Sequence, residues 1–220
     1  MKKIIKIIVI VLLICVIAVS SIFIYKANKD DDKAENEFEE IADIMEQNNA
    51  EDKENRPLNL QEVYKINSDV IGWLRIAGTN INYPVMQTKN NLNYYLRRNI
   101  YKQYSVWGTP YLAEECDIHT SNNLIVYGHH IKGNRLFGEL EKYKNRAFLE
   151  NHKIIEFTTL DTVFEYEIID IVVKNISDPN IHKYYSPKFK VENGEQLITL
   201  STCEYSTKNG RLLVIARKLD

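Results

Sequence analysis

The residues from Ile7 to Ile24, IIVIVLLICVIAVSSIFI, form an unbroken run without a charge. At about 1.5 Å per residue, a helix of this length roughly matches the ~30 Å hydrocarbon core of a bilayer. Ile4, Ile5 and Tyr25 extend the apolar stretch at its ends, so residues 4–25 are predicted to cross the membrane, within an anchor spanning 1–26. Lys2, Lys3 and Lys6 precede the run and acidic residues dominate shortly after it. The positive-inside rule then puts the N-terminus in the cytoplasm and everything past Lys26 outside the cell. A cleaved signal peptide is the competing reading, because Ala18-Val19-Ser20 loosely resembles a cleavage site. The apolar run continues past that site and exceeds the usual core of about 7–15 residues, which favours an uncleaved anchor.

The pattern changes after Lys26. Residues 27–56 are polar and acidic, with few large apolar side chains to bury. Phe38, Ile41, Ile44 and Met45 recur at helical spacing, so this tether is either partly helical and laid on a folded domain or a flexible stalk. The folded domain is predicted over 57–220, beginning near Pro57. Asn59 followed by Glu62 reads as a capping box opening a helix through Lys65. Val70 to Thr88 reads as short strands broken by Gly72, Gly78 and Pro84. A brief helix is expected over Asn91–Arg98, then strands in SVWGTPYLAEEC and NNLIVYGHH. NRLFGELEKYKNRAFLENH is the one clear helical stretch, with Leu136, Phe137, Leu140, Tyr143, Phe148 and Leu149 on its apolar face. Strand-like runs KIIEFTTL, TVFEYEIIDIVVKN, EQLITLSTC and RLLVIARKL complete the chain. Many short strands with one or two helices predict a mainly β fold, a closed antiparallel barrel with helical additions.

Composition agrees. The 14 tyrosines and the many Ile and Val residues suit strands. The formal net charge of −2, without a clustered basic surface, argues against nucleic acid as a partner. Cys15 lies in the apolar run, which leaves Cys116 and Cys203 in the outer domain, too few for a disulfide framework. A single bond between those two remains arithmetically open.

Cys203 ends a strand-like run and precedes the polar loop EYSTKNG, where a thiol would be rigidly held yet open to a pocket. A buried core cysteine is the commoner fate of such a residue. His129 and His130 end another strand, where one imidazole could serve a thiolate as acid and base; a pair of surface turn histidines is the plainer reading. Arg211 opens the last strand, one hairpin away from Cys203, and could hold an oxyanion or simply be solvated. Arg217 lies on the same face of that strand, at its other end. Cys116, His119, His129 and His130 are zinc-ligand types, but neighbours on a strand point to opposite faces and the spacing matches no standard site. No metal and no cofactor is expected.

TLSTC (Thr199–Cys203) with an arginine eight residues on, and YGHH (Tyr127–His130), resemble the signature of the sortase family. VIGWLRIAGTNINYPVMQ, NNLNYYLRRNI, SVWGTPYLAEECD and LFGELEKYKNRAFLENHKIIEF resemble class B sortases in the same order, covering roughly 58–218. The resemblance implies an eight-stranded closed barrel with N-terminal helices. It implies Cys203 as nucleophile, His129, which directly follows the glycine, as acid/base ahead of His130, and Arg211 ahead of Arg217 as the third catalytic residue. Thr202, Ser201, Glu204 and Tyr127 are carried along as substrate-binding or oxyanion support. The implied reaction cleaves a C-terminal sorting signal after a Thr, forms a thioester on Cys203 and transfers the protein to a peptidoglycan cross-bridge amine. The implied donors are secreted surface proteins with an Asn-Pro-x-Thr-like signal, in a Gram-positive bacterium. One departure stands out. Class B members carry a substantial helix in the loop before TLSTC, whereas here 177–194 holds Pro179, Pro187 and Gly194 and reads as short and poorly helical. A cysteine endopeptidase without transfer, or a non-catalytic anchored binding module, would use the same chain differently.

Overall fold

The computed structural model describes residues 2–50, 60–191 and 194–219. Pro57 and Asn59, and with them the expected domain start and capping box, lie outside the described residues.

The N-terminal helix α1 spans Lys2–Ala50 without a break, 49 residues. No Gly or Pro interrupts it. It is the one helix among the described residues long and apolar enough to cross a membrane. Its polar half is docked on the barrel. Ala34, Ile41 and Met45 are buried, and the half-buried Phe38 sits edge-on to Tyr83, 5.2 Å between ring centroids, and stacks near Trp107. Positions 34, 38, 41 and 45 follow the helical period, which puts them on one face. Polar contacts frame that face. Trp107 Nε1 donates to Asp31 at 2.7 Å, Asn99 Nδ2 to Glu37 at 2.8 Å and Arg135 Nη1 to Glu35 at 3.1 Å. Beyond Lys26 the chain is helical to Ala50, and contacts from Asp31 to Met45 dock it on the barrel.

Helix α2 (Gln61–Ile66) follows; Leu60 stands at its N-cap with no side-chain cap bond, and buried Leu60 and Val63 hold it instead. The strands are β1 (Val70–Arg75), β2 (Asn82–Met86), β3 (Tyr111–Leu112), β4 (Asn123–Tyr127), β5 (His130–Ile131), β6 (Arg135–Leu136), β7 (Ile154–Thr158), β8 (Val163–Asn175), β9 (Leu197–Glu204) and β10 (Gly210–Lys218). Eight of them close a barrel in the order β1-β2-β3-β4-β9-β10-β8-β7, and β5 and β6 form a small hairpin. Most pairs are antiparallel, as expected; β2 with β3 and β4 with β9 are parallel.

Three expected elements differ. The SVWGTPYL strand shrinks to β3, because Gly108 takes φ +62 and Pro110 follows it. The long core helix is split into a 3-10 helix, Phe137–Lys144, and α3, Arg146–Asn151. Asn145 makes the break. Its side chain accepts from Ala147 N at 2.8 Å and Phe148 N at 3.3 Å, capping a new helix rather than continuing the old one. The loop before β9, expected to be poorly helical, carries one short 3-10 helix, Pro179–Tyr185. Pro179 sits at its start, where a missing N–H costs nothing, and Asp178 caps it through Asn180 N at 2.8 Å.

Along β9 and β10 the side chains alternate. Ile198, Leu200, Leu212 and Val214 fill the barrel, while Leu197, Leu213 and Ile215 face outward under the loop of Ile181 and Phe189. A third apolar cluster joins α1 and α2 to Trp73, Tyr95 and Ile100.

Replacing Ile41 by Asp puts an uncompensated charge into the α1 seam. The expected outcome is release of the docked half of α1, read as faster proteolytic cleavage within 27–46 while the barrel's circular dichroism persists.

Candidate active site

The β9–β10 register decides the site. Arg211 is paired directly with Cys203 and Gly210 with Glu204, with no shift along the ladder. Side chains of directly opposed residues lie on the same face, so thiol and guanidinium share the outer face of the barrel. Arg211 Nη1 rests on the carbonyl of Gly210 at 2.9 Å. Arg217 pairs with Leu197 at the far end and holds Glu167 at 2.9 Å, away from Cys203.

Cys203 is half-buried on the wall of a cleft of about 450 Å³. His129, Arg211, Ser201, Thr202 and Tyr127 line the same cleft. His129 follows β4, which runs parallel to β9 with Tyr127 opposite Ser201, so the ends of both strands open at one rim. Its Nε2 shares a hydrogen bond with the Leu96 carbonyl at 2.9 Å. Burial holds the His129 pKa below its ordinary value; Arg97 pushes the same way and the Leu96 carbonyl opposes them.

The other sequence-chosen residues divide. Ser201 is on the phase of Cys203 and meets the Tyr185 hydroxyl at 2.9 Å. Thr202 is on the opposite phase, buried, with an Oγ1 that has no hydrogen-bond partner among the described residues. Tyr127 lies between Tyr111, tilted against it at 5.4 Å, and Tyr185, stacked at 6.0 Å between ring centroids. Burial raises the pKa of Tyr127 and Tyr185, so both hydroxyls stay neutral. The Glu204 side chain turns from the cleft to Lys144 Nζ at 2.7 Å and to the N–H groups of Ser206 and Thr207. The Lys144 bond, with the Ser206 contact, lowers the Glu204 carboxyl to about 2. A second depression of about 340 Å³, formed by the β9–β10 loop, meets the first at Cys203 and Arg211.

Tyr185, Tyr111, Leu96 and His182 also line the cleft, and the sequence reading missed them. Tyr111 lies on the two-residue β3, Leu96 on a short 3-10 helix, Tyr94–Arg97, and His182 and Tyr185 on the 3-10 helix Pro179–Tyr185, elements too short for periodicity to mark a side chain as facing a site. No carboxylate lines the main cleft among the described residues. Cys116 is buried in the barrel core, its Sγ 3.4 Å from the Asn123 carbonyl, and burial pushes its thiol up to about 11. All three cysteines are free. His119 is exposed on a turn, so the four zinc-type residues do not converge, and no cluster of three or more His, Cys, Asp or Glu is present among the described residues.

This barrel, with a thiol, an imidazole and a guanidinium on one cleft, is that of a known family. The sortase domain model matches residues 74–219, and the chain belongs to the sortase family, the cysteine transpeptidases. Its relatives are of class B. Sortase B of Staphylococcus aureus is 28% identical over 94% of this chain and 93% of its own length. Sortase B of Listeria monocytogenes is 29% identical over 70% of this chain and 72% of its own. Among solved structures, the Staphylococcus aureus sortase B–substrate complex superposes with a TM-score of 0.75 at 25% identity, covering 87% of this chain and 99% of that one.

Two outcomes follow from the charges. Glu204 has a depressed folded-state pKa, so its contribution to stability is complete above its ordinary value of 4.5 and is lost as pH falls toward about 2. Thermal melts between pH 6 and 2 should show that loss in the wild type. Glu204→Gln should lack this component and be less stable near neutrality by about 2 kcal/mol. Arg97→Gln removes a positive neighbour and should raise the His129 pKa toward its ordinary value, which NMR titration of the ring protons measures.

Proposed function

We propose that this chain is a membrane-anchored cysteine transpeptidase acting outside the cell, with Cys203 as nucleophile, His129 as acid/base and Arg211 as oxyanion partner. The observation that carries the reading is the direct cross-strand pairing of Cys203 with Arg211 on a cleft that His129 also lines.

The chemistry follows from those groups. The Cys203 thiolate attacks the carbonyl carbon of a Thr in a sorting signal, forming a C–S bond and a tetrahedral oxyanion. The Arg211 guanidinium and the N–H of Glu204 stabilise that charge as it develops. The C–N bond then breaks, and the His129 imidazolium gives its proton to the departing amine, leaving a thioester. Nε2 is engaged with Leu96, so Nδ1 is the nitrogen left for proton exchange in the resting arrangement. An acceptor amine attacks the thioester, His129 takes the amine's proton, and the thiolate leaves. Splitting the transfer through a covalent intermediate replaces one difficult step by two easier ones. The two depressions that meet at Cys203 are consistent with a donor and an acceptor arriving from different sides.

The substrate class we propose is a secreted protein with an Asn-Pro-x-Thr-like signal, and the acceptor a peptidoglycan cross-bridge amine. The substrate complex of the Staphylococcus aureus relative supports a sorting-signal donor. Residues 4–25 cross the membrane with Lys2, Lys3 and Lys6 on the cytoplasmic side. Asp31 already touches the barrel, seven residues past Ile24, so the domain is held within about 10 Å of the hydrocarbon boundary.

Full-length protein in detergent, mixed with Thr-containing signal peptides with and without a short glycine or diamino-acid amine, tests the reading by mass spectrometry. The expected result is a thioester on Cys203 and an amine-dependent ligated product, both lost in Cys203→Ala. Arg211→Ala should lower kcat by about 10²–10³-fold. Cleavage that no amine diverts would make the protein an endopeptidase. An inert wild type with a free thiol would leave an anchored binding module.

A further inference from the structure

The second histidine of YGHH has no part in the mechanism above, yet it is the one that touches the nucleophile's backbone. His130 Nδ1 lies 3.0 Å from the carbonyl oxygen of Cys203, 73 residues away in sequence. A carbonyl only accepts, so Nδ1 carries the hydrogen. The His130 side chain is 14% exposed, and its ring meets Tyr205 edge-on at 4.9 Å. Glu141 Oε1 is 3.9 Å from the same nitrogen. Lys144 then bridges Glu141 and Glu204, at 2.7 Å to each. The segment Cys203–Tyr205 is thus pinned at three successive residues by β5 and the 3-10 helix Phe137–Lys144.

A trans peptide is planar, and its C=O and N–H point in opposite directions. No cis peptide is present among the described residues. With the Cys203 carbonyl drawn toward β5, the Glu204 N–H of the same plane is aimed away from β5, to the side where β10 carries Arg211.

We infer that His130 is a positioning residue: through its hydrogen bond to the Cys203 carbonyl it fixes the plane of the Cys203–Glu204 peptide, and with it the nucleophile and the adjoining N–H. The inference rests on Cys203 being the nucleophile. His130 neither receives nor donates the proton of the reaction; His129 does.

The test uses the full-length protein with His130→Asn and His130→Leu. The Asn carboxamide N–H occupies nearly the position of Nδ1–H, whereas Leu keeps bulk and removes the donor. In His130→Leu, kcat for transfer should fall by about tenfold or more with KM little changed, because a misaimed catalytic geometry acts on the transition state. His130→Asn should recover most of that loss, and both limbs of the pH–rate profile should stay in place. Long-range ¹H–¹⁵N spectra of the wild type should show His130 as the Nδ1–H tautomer. The inference is overturned if His130→Leu keeps the wild-type kcat, if Asn is as impaired as Leu, if a limb of the profile moves, or if the ring is the Nε2–H tautomer. Should Leu fail to fold, the Asn variant and the tautomer still decide. A wild type without turnover would sink the proposed function alone, since the tautomer and the alkylation rate of Cys203 in the three proteins read the clamp independently of any substrate.

Discussion

The pairing of β9 with β10 is the constraint on which the rest depends. It sets Cys203 opposite Arg211, and it does so through backbone ladder bonds that run unshifted from Leu197–Arg217 to Glu204–Gly210. Because side chains on a strand alternate, the same register sends Leu200 and Val214 into the barrel and leaves Cys203 and Arg211 outside it. A slip of one residue would exchange the two sets, putting the guanidinium into an apolar core. The core therefore enforces the site: the energy that buries these aliphatic residues also holds the thiol and the cation in register.

Around that pair, the remaining parts arrive from distant stretches of chain. The parallel pairing of β4 with β9 brings Gly128 and both histidines to the same rim. His129 turns to Leu96 and His130 to Cys203, as adjacent residues leaving a strand must face different ways. The loop before β9 is tied down through Asn123, whose Nδ2 donates to the Tyr184 carbonyl at 2.9 Å, and this places Tyr185 over Ser201. The segment that carries Leu96 is itself packed against α1 through Asn99 and Trp107. The N-terminal helix and the cleft are thus parts of one packed unit, joined by a segment that touches both.

Much of this was legible beforehand. The apolar run, the strand-like segments and the TLSTC and YGHH motifs each signal through local pattern, and local pattern reports burial and backbone preference well. The elements that were misjudged share a cause. Asn145 splits a helix because its side chain competes for backbone N–H groups, an outcome that the apolar spacing on either side conceals. Pro179 begins a helix rather than preventing one, because Asp178 is there to cap it. The residues 27–50 were ambiguous because a helix with a thin apolar stripe is stable only if a partner surface exists, and Trp107 and Tyr83 supply that surface from elsewhere.

By itself, the sequence determined that there is an apolar segment long enough to cross a membrane, a β-rich domain, and a cysteine, a histidine pair and an arginine at strand ends. Those features depend on hydrophobic periodicity and on residue type, which are written locally. Only the tertiary structure decided that the two histidines have different partners, that Cys116 is sealed in the core, and that Glu204 is held by Lys144 away from the cleft. Each of these is a contact between residues far apart in the chain. Such contacts are fixed by strand order and register, which arise from the packing of the whole barrel and leave no mark in any one segment.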